Sequence, residues 1–217
     1  RLVSYTDNEV EYETSLNHYL VRLAGVELAF CSKRDVPGTI QDVIRQTEKD
    51  GRSYRYLYGG GKSLEGVFAY YDAVRELRGQ LKGDLDEVYV ACGTGTTLTG
   101  ICAGMREYFP EAVVHGISVA RPWDVEKKVL EEDMTYIRNY TGKNYDFTNL
   151  KFHDEFLLGG YGKTSPEELE AIREVVSKEG MLVDPTYSGK AFYGMTKLIS
   201  KGSQKNVLFW NTGGIFN

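Results

Sequence analysis

Ala91-Cys92-Gly93-Thr94-Gly95-Thr96-Thr97-Leu98-Thr99-Gly100 is the stretch whose reading decides the fold. The apolar run Glu87-Val88-Tyr89-Val90-Ala91-Cys92 enters it as a buried strand would, and Leu98 to Tyr108 leaves it with a helical apolar period. Glycines let backbone N–H groups crowd toward a ligand, and hydroxyls beside a helix N-terminus suit an anion. Two readings follow: a phosphate cradle, or a tight strand-to-helix turn with hydroxyl caps. The pattern is neither Gly-x-Gly-x-x-Gly nor Gly-x-x-x-x-Gly-Lys-Ser/Thr, so the dinucleotide and P-loop mechanisms are not indicated.

Outward from this stretch the chain alternates strands and helices. Tyr54 to Tyr58 reads as a short aromatic strand running into Gly59-Gly60-Gly61. Ser63 caps a helix through about Leu81, with Leu64, Val67, Phe68, Tyr71, Val74 and Leu77 as its inner stripe. Downstream, Val113 to Val119 is a strand, and Pro122 opens a helix to about Tyr140 with Val125, Val129, Met134 and Ile137 inward. Lys151 to Phe156 is a strand, followed by the loop Gly159-Gly160-Tyr161-Gly162. Ser165-Pro166-Glu167-Glu168 combines a cap, a first-turn proline and a glutamate three residues on, the signature of a helix start, and Gly180 ends that helix. Met181-Leu182-Val183 then leads as a strand into Asp184-Pro185-Thr186-Tyr187-Ser188-Gly189. A helix over Lys190 to Ile199, a strand over Val207 to Trp210 and the loop Asn211-Thr212-Gly213-Gly214 complete this part.

Upstream, Arg1 to Glu13 shows no period. Thr14 to Leu23 reads as a helix with Leu16, Leu20 and Leu23 on one face, Val26 to Phe30 as a strand, and Thr39 to Lys49 as a helix stopped by Gly51. The alternation from Tyr54 onward predicts an α/β fold, an open, mostly parallel sheet covered by helices on both faces. Ligands collect at the carboxyl ends of such strands. Here those ends carry Gly59–Gly61, Gly93–Thr97, the Tyr161 loop, Tyr187-Ser188 and Thr212-Gly213. Their convergence favours the cradle over the plain turn.

A net charge of −5 over 217 residues, without a lysine/arginine run, argues against nucleic acid as a partner. No apolar run approaches the ~20 residues of a membrane span, and no stretch reads as a signal peptide. Cys31, Cys92 and Cys102 lie far apart or on buried-looking elements, which fits a reducing, cytoplasmic setting without disulfides. Three histidines without Cys/His pairs at ligand spacing give no metal site.

Gly93-Thr94-Gly95-Thr96-Thr97, Asp184-Pro185-Thr186-Tyr187-Ser188-Gly189-Lys190-Ala191 and Asn211-Thr212-Gly213-Gly214, in this order, resemble the pyridoxal-phosphate enzymes of the tryptophan-synthase-β-like fold. Within them the chain is similar to the D-cysteine desulfhydrase and 1-aminocyclopropane-1-carboxylate deaminase branch, from about Glu13 onward. The resemblance implies a small domain, represented by residues 1–57, and a larger cofactor-phosphate-binding domain over 58–217. It also implies pyridoxal 5'-phosphate as cofactor, a small amino acid as substrate, and a homodimer. Gly93, Thr94, Gly95, Thr96 and Thr97 would hold the phosphate, with Thr96 strained if its φ had to be positive. Thr212, beside Gly213, would face the pyridine nitrogen, and Tyr187, Tyr161 and Ser188 would serve catalysis.

Ser188 and Thr212 match the desulfhydrase pattern, whereas the deaminase pattern puts glutamate and leucine there. The implied reaction is α,β-elimination from a small D-amino acid. Cysteate and diaminopropionate are alternative substrates in the branch. The departures carry equal weight. The family's Schiff-base lysine sits in a Gly-Asn-Lys-type motif, followed by a Gln-Ser-Asn-His-type stretch, and neither occurs here; Lys62 follows a glycine loop and Lys190 falls in the first turn of a helix. With Arg1 first and a glycine pair near the end, the expectation is a piece of a longer enzyme, inactive alone. A separate N-terminal piece, or a relative that binds ligand without catalysis, are the alternatives. Asn211 replaces the histidine often found before Thr-Gly-Gly, and Cys92 is read as a small buried apolar residue.

Overall fold

In the computed structural model, which describes residues 1–5, 16–200 and 203–214, the chain divides between Tyr56 and Leu57 into two units. In the first unit β1 (Leu2–Tyr5) pairs in parallel with β2 (Leu28–Cys31), from Leu2 against Leu28 to Tyr5 against Cys31. Parallel strands need a crossover, and α1 (Leu16–Leu23) lies in it. A 3₁₀ turn (Lys33–Asp35) then leads into α2 (Val36–Lys49), with proline in its first turn. Arg1 to Glu13, which shows no period in the sequence, contains β1; four residues paired across the chain leave no local period to read. The start of the helix read from Thr14 lies outside the described residues. Leu16, Leu20 and Leu23, read on one face of this helix, are exposed, and no described residue of this unit is fully buried.

In the second unit the elements run α3 (Leu64–Gln80), β3 (Glu87–Cys92), α4 (Thr96–Tyr108), β4 (Val113–Ser118), α5 (Trp123–Thr141), β5 (Leu150–His153), α6 (Pro166–Glu179), α7 (Ser188–Leu198) and β6 (Val207–Trp210). The sheet order is β5-β4-β3-β6, all parallel. All six residues of β3 are buried, as a central parallel strand requires. Val88, Val90 and Cys92 face a core built with α3, α4 and α5, which contribute Val67, Val74, Leu98, Ile101, Met105, Leu130 and Ile137. Tyr89 and Ala91 face the other side, where Ala191 and Leu198 of α7 meet Ile117 and Val119. The expected α/β sheet with helices on both faces is what forms.

Three sequence expectations give way. Tyr54 to Tyr58 forms no strand, and Tyr54, Tyr56, Leu57 and Tyr58 stay exposed; aromatic strand propensity expresses packing on a sheet, which this segment lacks. Met181-Leu182-Val183 is likewise irregular. On α5 the inward face is set by Glu126, Leu130, Asp133, Met134 and Ile137, while Val125 points outward. A binary pattern assigns acids to water, yet Glu126 is buried because Arg121 Nη1 lies 3.0 Å from its carboxylate.

Helix α6 begins as expected: Ser165 Oγ accepts the Glu168 N–H at 3.2 Å, and Gly180 ends it at φ 63°. The Glu168 carboxylate is buried with neither oxygen hydrogen-bonded, and burial pushes its pKa up to about 7 although the Lys190 charge opposes the rise. Its folded value lies above the ordinary 4.5, so the contribution of Glu168 to stability is greatest below the unfolded pKa and is lost as pH rises through about 7. Glu168→Gln should therefore gain melting temperature relative to wild type, more at pH 8 than at pH 5.

Helices α3 and α4 cross closely because α4 carries Gly100 and Gly104. A Cβ on Gly100 would lie 2.3 Å from Val67 O, and one on Gly104 would lie 2.6 Å from Val74 Cβ. Backbone cannot yield as a side chain can, so Gly100→Ala should destabilise by about 2 kcal/mol, read from the urea midpoint.

Candidate active site

The loop after β3 turns at Gly95, whose φ of 88° is left-handed and suits glycine. The positive φ thus falls on Gly95, and Thr96 is helical and unstrained. The first helical bond runs from Thr99 N–H to Gly95 O at 2.9 Å, which leaves the N–H groups of Thr96, Thr97 and Leu98 outside the intrahelical ladder. Every other α-helix among the described residues of this unit has at least one N-terminal amide met by a side chain. Ser63 accepts from Gly66 N–H in α3 at 3.0 Å, Asp154 from Trp123 N–H in α5 at 2.7 Å, and Ser165 from Glu168 N–H in α6 at 3.2 Å. Asp184 accepts from the Tyr187 N–H just before α7 at 2.8 Å and from the Ser188 N–H that opens it at 2.9 Å. Helix α4 has no side-chain cap at Gly95. Beside those amides Thr96 is buried, and its Oγ1 has no hydrogen-bond partner. Thr97 and Thr94 are half-buried, and Thr94 packs against Gly60, where a Cβ would lie 2.7 Å from its methyl.

Tyr187 borders the same loop: a Cβ on Gly93 would lie 3.2 Å from its ring. Its phenol lies 2.6 Å from that of Tyr161, with the rings edge-on at 74°. Asp184 sets the turn, since it also accepts the Thr186 N–H at 2.9 Å. The buried Ser188 hydroxyl lies 2.7 Å from Asp184 Oδ1 and 3.1 Å from Gly213 O, two acceptors for its one proton. It also accepts the Asp184 N–H at 3.0 Å. Gly213 has a φ of 87° and donates its N–H to Asn211 Oδ1 at 3.0 Å, and Thr212 is exposed on that turn. Direct contacts therefore link Gly93, Tyr187, Tyr161, Ser188 and Gly213, while Thr94, Gly95, Thr96 and Thr97 lead from Gly93 into α4.

Three residues escaped the sequence reading. Glu126 Oε1 lies 3.5 Å from the Cys92 thiol and would lie 2.9 Å from a Cβ on Gly95, so this acid and its partner Arg121 back the loop. Nothing in the sequence marks Glu126 beyond helical spacing from Met134. Asp184 does have a signal, the Asp-Pro-Thr-Tyr-Ser turn, in which an aspartate accepts N–H groups two to four residues on.

Neutral amides and a buried, partnerless hydroxyl at a helix N-terminus, placed at the carboxyl edge of a parallel sheet, are donors of the kind a phosphate group takes. The fold is that of an α/β protein with this helix start at the edge of its sheet. The family model "Pyridoxal-phosphate dependent enzyme" matches residues 10–213, and the chain belongs to that family. The donor set fits that cofactor's phosphate.

Among its relatives is a putative 1-aminocyclopropane-1-carboxylate deaminase of Pyrococcus furiosus, 32% identical over 92% of this chain and 62% of the relative. A bifunctional D-cysteine desulfhydrase/1-aminocyclopropane-1-carboxylate deaminase of Arabidopsis thaliana is 30% identical over 92% of this chain and 52% of its own. A D-cysteine desulfhydrase of Yersinia pestis is 27% identical over 95% and 64%. The solved structure of an ACC deaminase homologue superposes with a TM-score of 0.87 at 29% identity, over 99% of this chain and 66% of that one. Serine racemase from Dictyostelium discoideum, at 14% identity and a TM-score of 0.62, shares the fold. The chain thus spans about 62% of the length of the Pyrococcus relative.

Alanine at position 95 would adopt a left-handed φ and set its methyl against Glu126. Gly95→Ala should cost about 1–2 kcal/mol, seen as a melting temperature lowered by roughly 2–8 °C.

Proposed function

We propose that this chain forms the cofactor-phosphate side of a lyase that eliminates the thiol from D-cysteine. The observation that carries the reading is the uncapped N-terminus of α4 with the partnerless Thr96 Oγ1 beside it. The N–H groups of Gly95, Thr96 and Thr97, and the hydroxyls of Thr94, Thr96 and Thr97, would hold the phosphate, with the helix dipole adding to the attraction. Pyridoxal phosphate, when bound, withdraws electrons from the substrate Cα, which acidifies its proton and lets a group leave from Cβ. Thr212 would offer a neutral hydroxyl to the ring nitrogen, and Gly213 lets the chain turn there.

Tyr187 and Tyr161 act as one unit. At 2.6 Å the two phenols share a hydrogen bond, and through it the pair could give a proton to a leaving group or take one back. Ser188, buried and bonded to Asp184 and Gly213, supports this pair by tying its turn to the Thr212 loop. The proton-abstracting lysine is assigned to residues outside 1–217, because no lysine of this chain stands in the family's Gly-Asn-Lys context. In this reading residues 1–57 belong to the small domain and 58–217 to the cofactor-binding one, and the working enzyme is a homodimer.

Ser188 and Thr212 favour D-cysteine. A deaminase acting on 1-aminocyclopropane-1-carboxylate is the second reading, favoured by the names of the Pyrococcus relatives. Hydrogen sulfide released from D-cysteine by the full gene product, above ammonia released from the cyclopropane amino acid, supports the first; the reverse order supports the second. Thr97→Ala should weaken cofactor affinity about tenfold, the effect of one hydrogen bond to a charged group, measured by titrating the visible absorbance. Tyr187→Phe should leave that affinity unchanged and lower kcat roughly 100-fold, the scale of general acid–base catalysis.

A further inference from the structure

Lys190 is the second largest of the fully buried side chains, a position that lysine almost never takes without a partner. Its Nζ donates to Leu157 O at 3.0 Å and to Gly160 O at 3.3 Å, two carbonyls of a single turn. That turn is conformationally expensive. Leu158 has a φ of 53°, the sole left-handed non-glycine residue among those described, and Gly159, Gly160 and Gly162 follow at 95°, 120° and 69°. Backbone bonds within it run from Gly160 N–H to Leu157 O at 2.9 Å and from Lys163 N–H to Gly160 O at 3.1 Å. Tyr161 extends from the turn, 60% exposed, and reaches Tyr187 through its phenol. The outer side of the turn is open: a Cβ on Gly160 or Gly162 would meet nothing within 4 Å.

We propose that Lys190 is a positioning residue for Tyr161, its buried ammonium gathering the Leu157 and Gly160 carbonyls so that the left-handed turn delivers the phenol to Tyr187. A strained backbone persists only where its surroundings over-determine it, and the cation supplies that determination from below. Both tyrosines are thereby tied to one helix: Tyr187 immediately precedes α7, and Lys190 lies in its first turn. Glu168 of α6 contributes the charge that favours the cationic form of Lys190 against burial. The role rests on the reading of Tyr161 as an active-site phenol.

The test uses the full gene product loaded with pyridoxal phosphate. Lys190→Met keeps the stem and removes the cation. Hydrogen exchange over 157–163 should accelerate at least tenfold in it, with exchange in β3 and β4 unchanged. The kcat losses of Lys190→Met and Tyr161→Phe should not add: the double variant should be no slower than the worse single one, whereas general destabilisation would add to the loss. Unchanged protection of the turn, or additive losses with β3 loosened as well, overturns the proposal. If Tyr161→Phe alone is fully active, the functional reading of Tyr161 fails, and the exchange result still decides what Lys190 does for the turn. Should Lys190→Met not fold, Lys190→Gln and the wild type carry the test. The shorter donor should give an intermediate exchange rate. In the wild type the Gly160 and Lys163 amides should exchange at least tenfold more slowly than unprotected chain, and free exchange there overturns the proposal.

Discussion

Five helices of the second unit begin near loops, and the satisfaction of their first amides is the constraint on which the site depends. Four of them meet a serine hydroxyl or an aspartate carboxylate. Such caps contribute about 1 kcal/mol each and fix where a helix starts. Helix α4 starts instead from Gly95 in a left-handed conformation, with threonines whose hydroxyls are not drawn into capping. The fold tolerates this because α4 is held along its length: Leu98, Ile101, Cys102 and Met105 are buried, and Gly100 and Gly104 let α3 close against it. Packing carries the helix, and its N-terminus stays available for an anion.

Charge around that terminus is also arranged. Two acids of α5, Glu126 and Asp133, are buried, an unfavourable setting near an anion. Arg121 neutralises the first at 3.0 Å. Lys62, 3.8 Å from Asp133, faces the second, whose pKa burial raises while Lys62 pulls it down. Glu126, next to Gly95, holds Arg121, and Asp133 pairs with Lys62, which follows the Gly59–Gly61 turn. A glycine loop, a helix start and two ion pairs thus form one supporting layer.

What the sequence revealed, and what it withheld, follows from the range of each signal. Gly93 to Thr97 was legible because glycine, hydroxyls and the switch from a buried run to a helical period fall within a dozen residues. Ser165-Pro166 and Ser63 were legible for the same reason. Short strand β1 was not, since its partner is β2 across the chain, and Tyr54 to Tyr58 misled because propensity alone does not supply a neighbouring strand. Helix α5 was read out of phase at Val125, because the inward position belongs to Glu126 and its burial depends on Arg121. The loops that meet around Tyr187 could be named from sequence. The Tyr161–Tyr187 contact, the sharing of Ser188 between Asp184 and Gly213, and the burial of Lys190 are tertiary facts that spacing does not encode.

The two cysteines of the sheet layer have a use that their chemistry does not advertise. Cys92 on β3 and Cys102 on α4 are buried and outside any disulfide, and burial raises both thiol pKa values. Both sulfurs are shielded from solvent, so a reagent reaches them only when the surrounding packing opens. Both are reporters built into the central layer: the rate at which a soluble alkylating reagent consumes them is a clock for the opening of that layer.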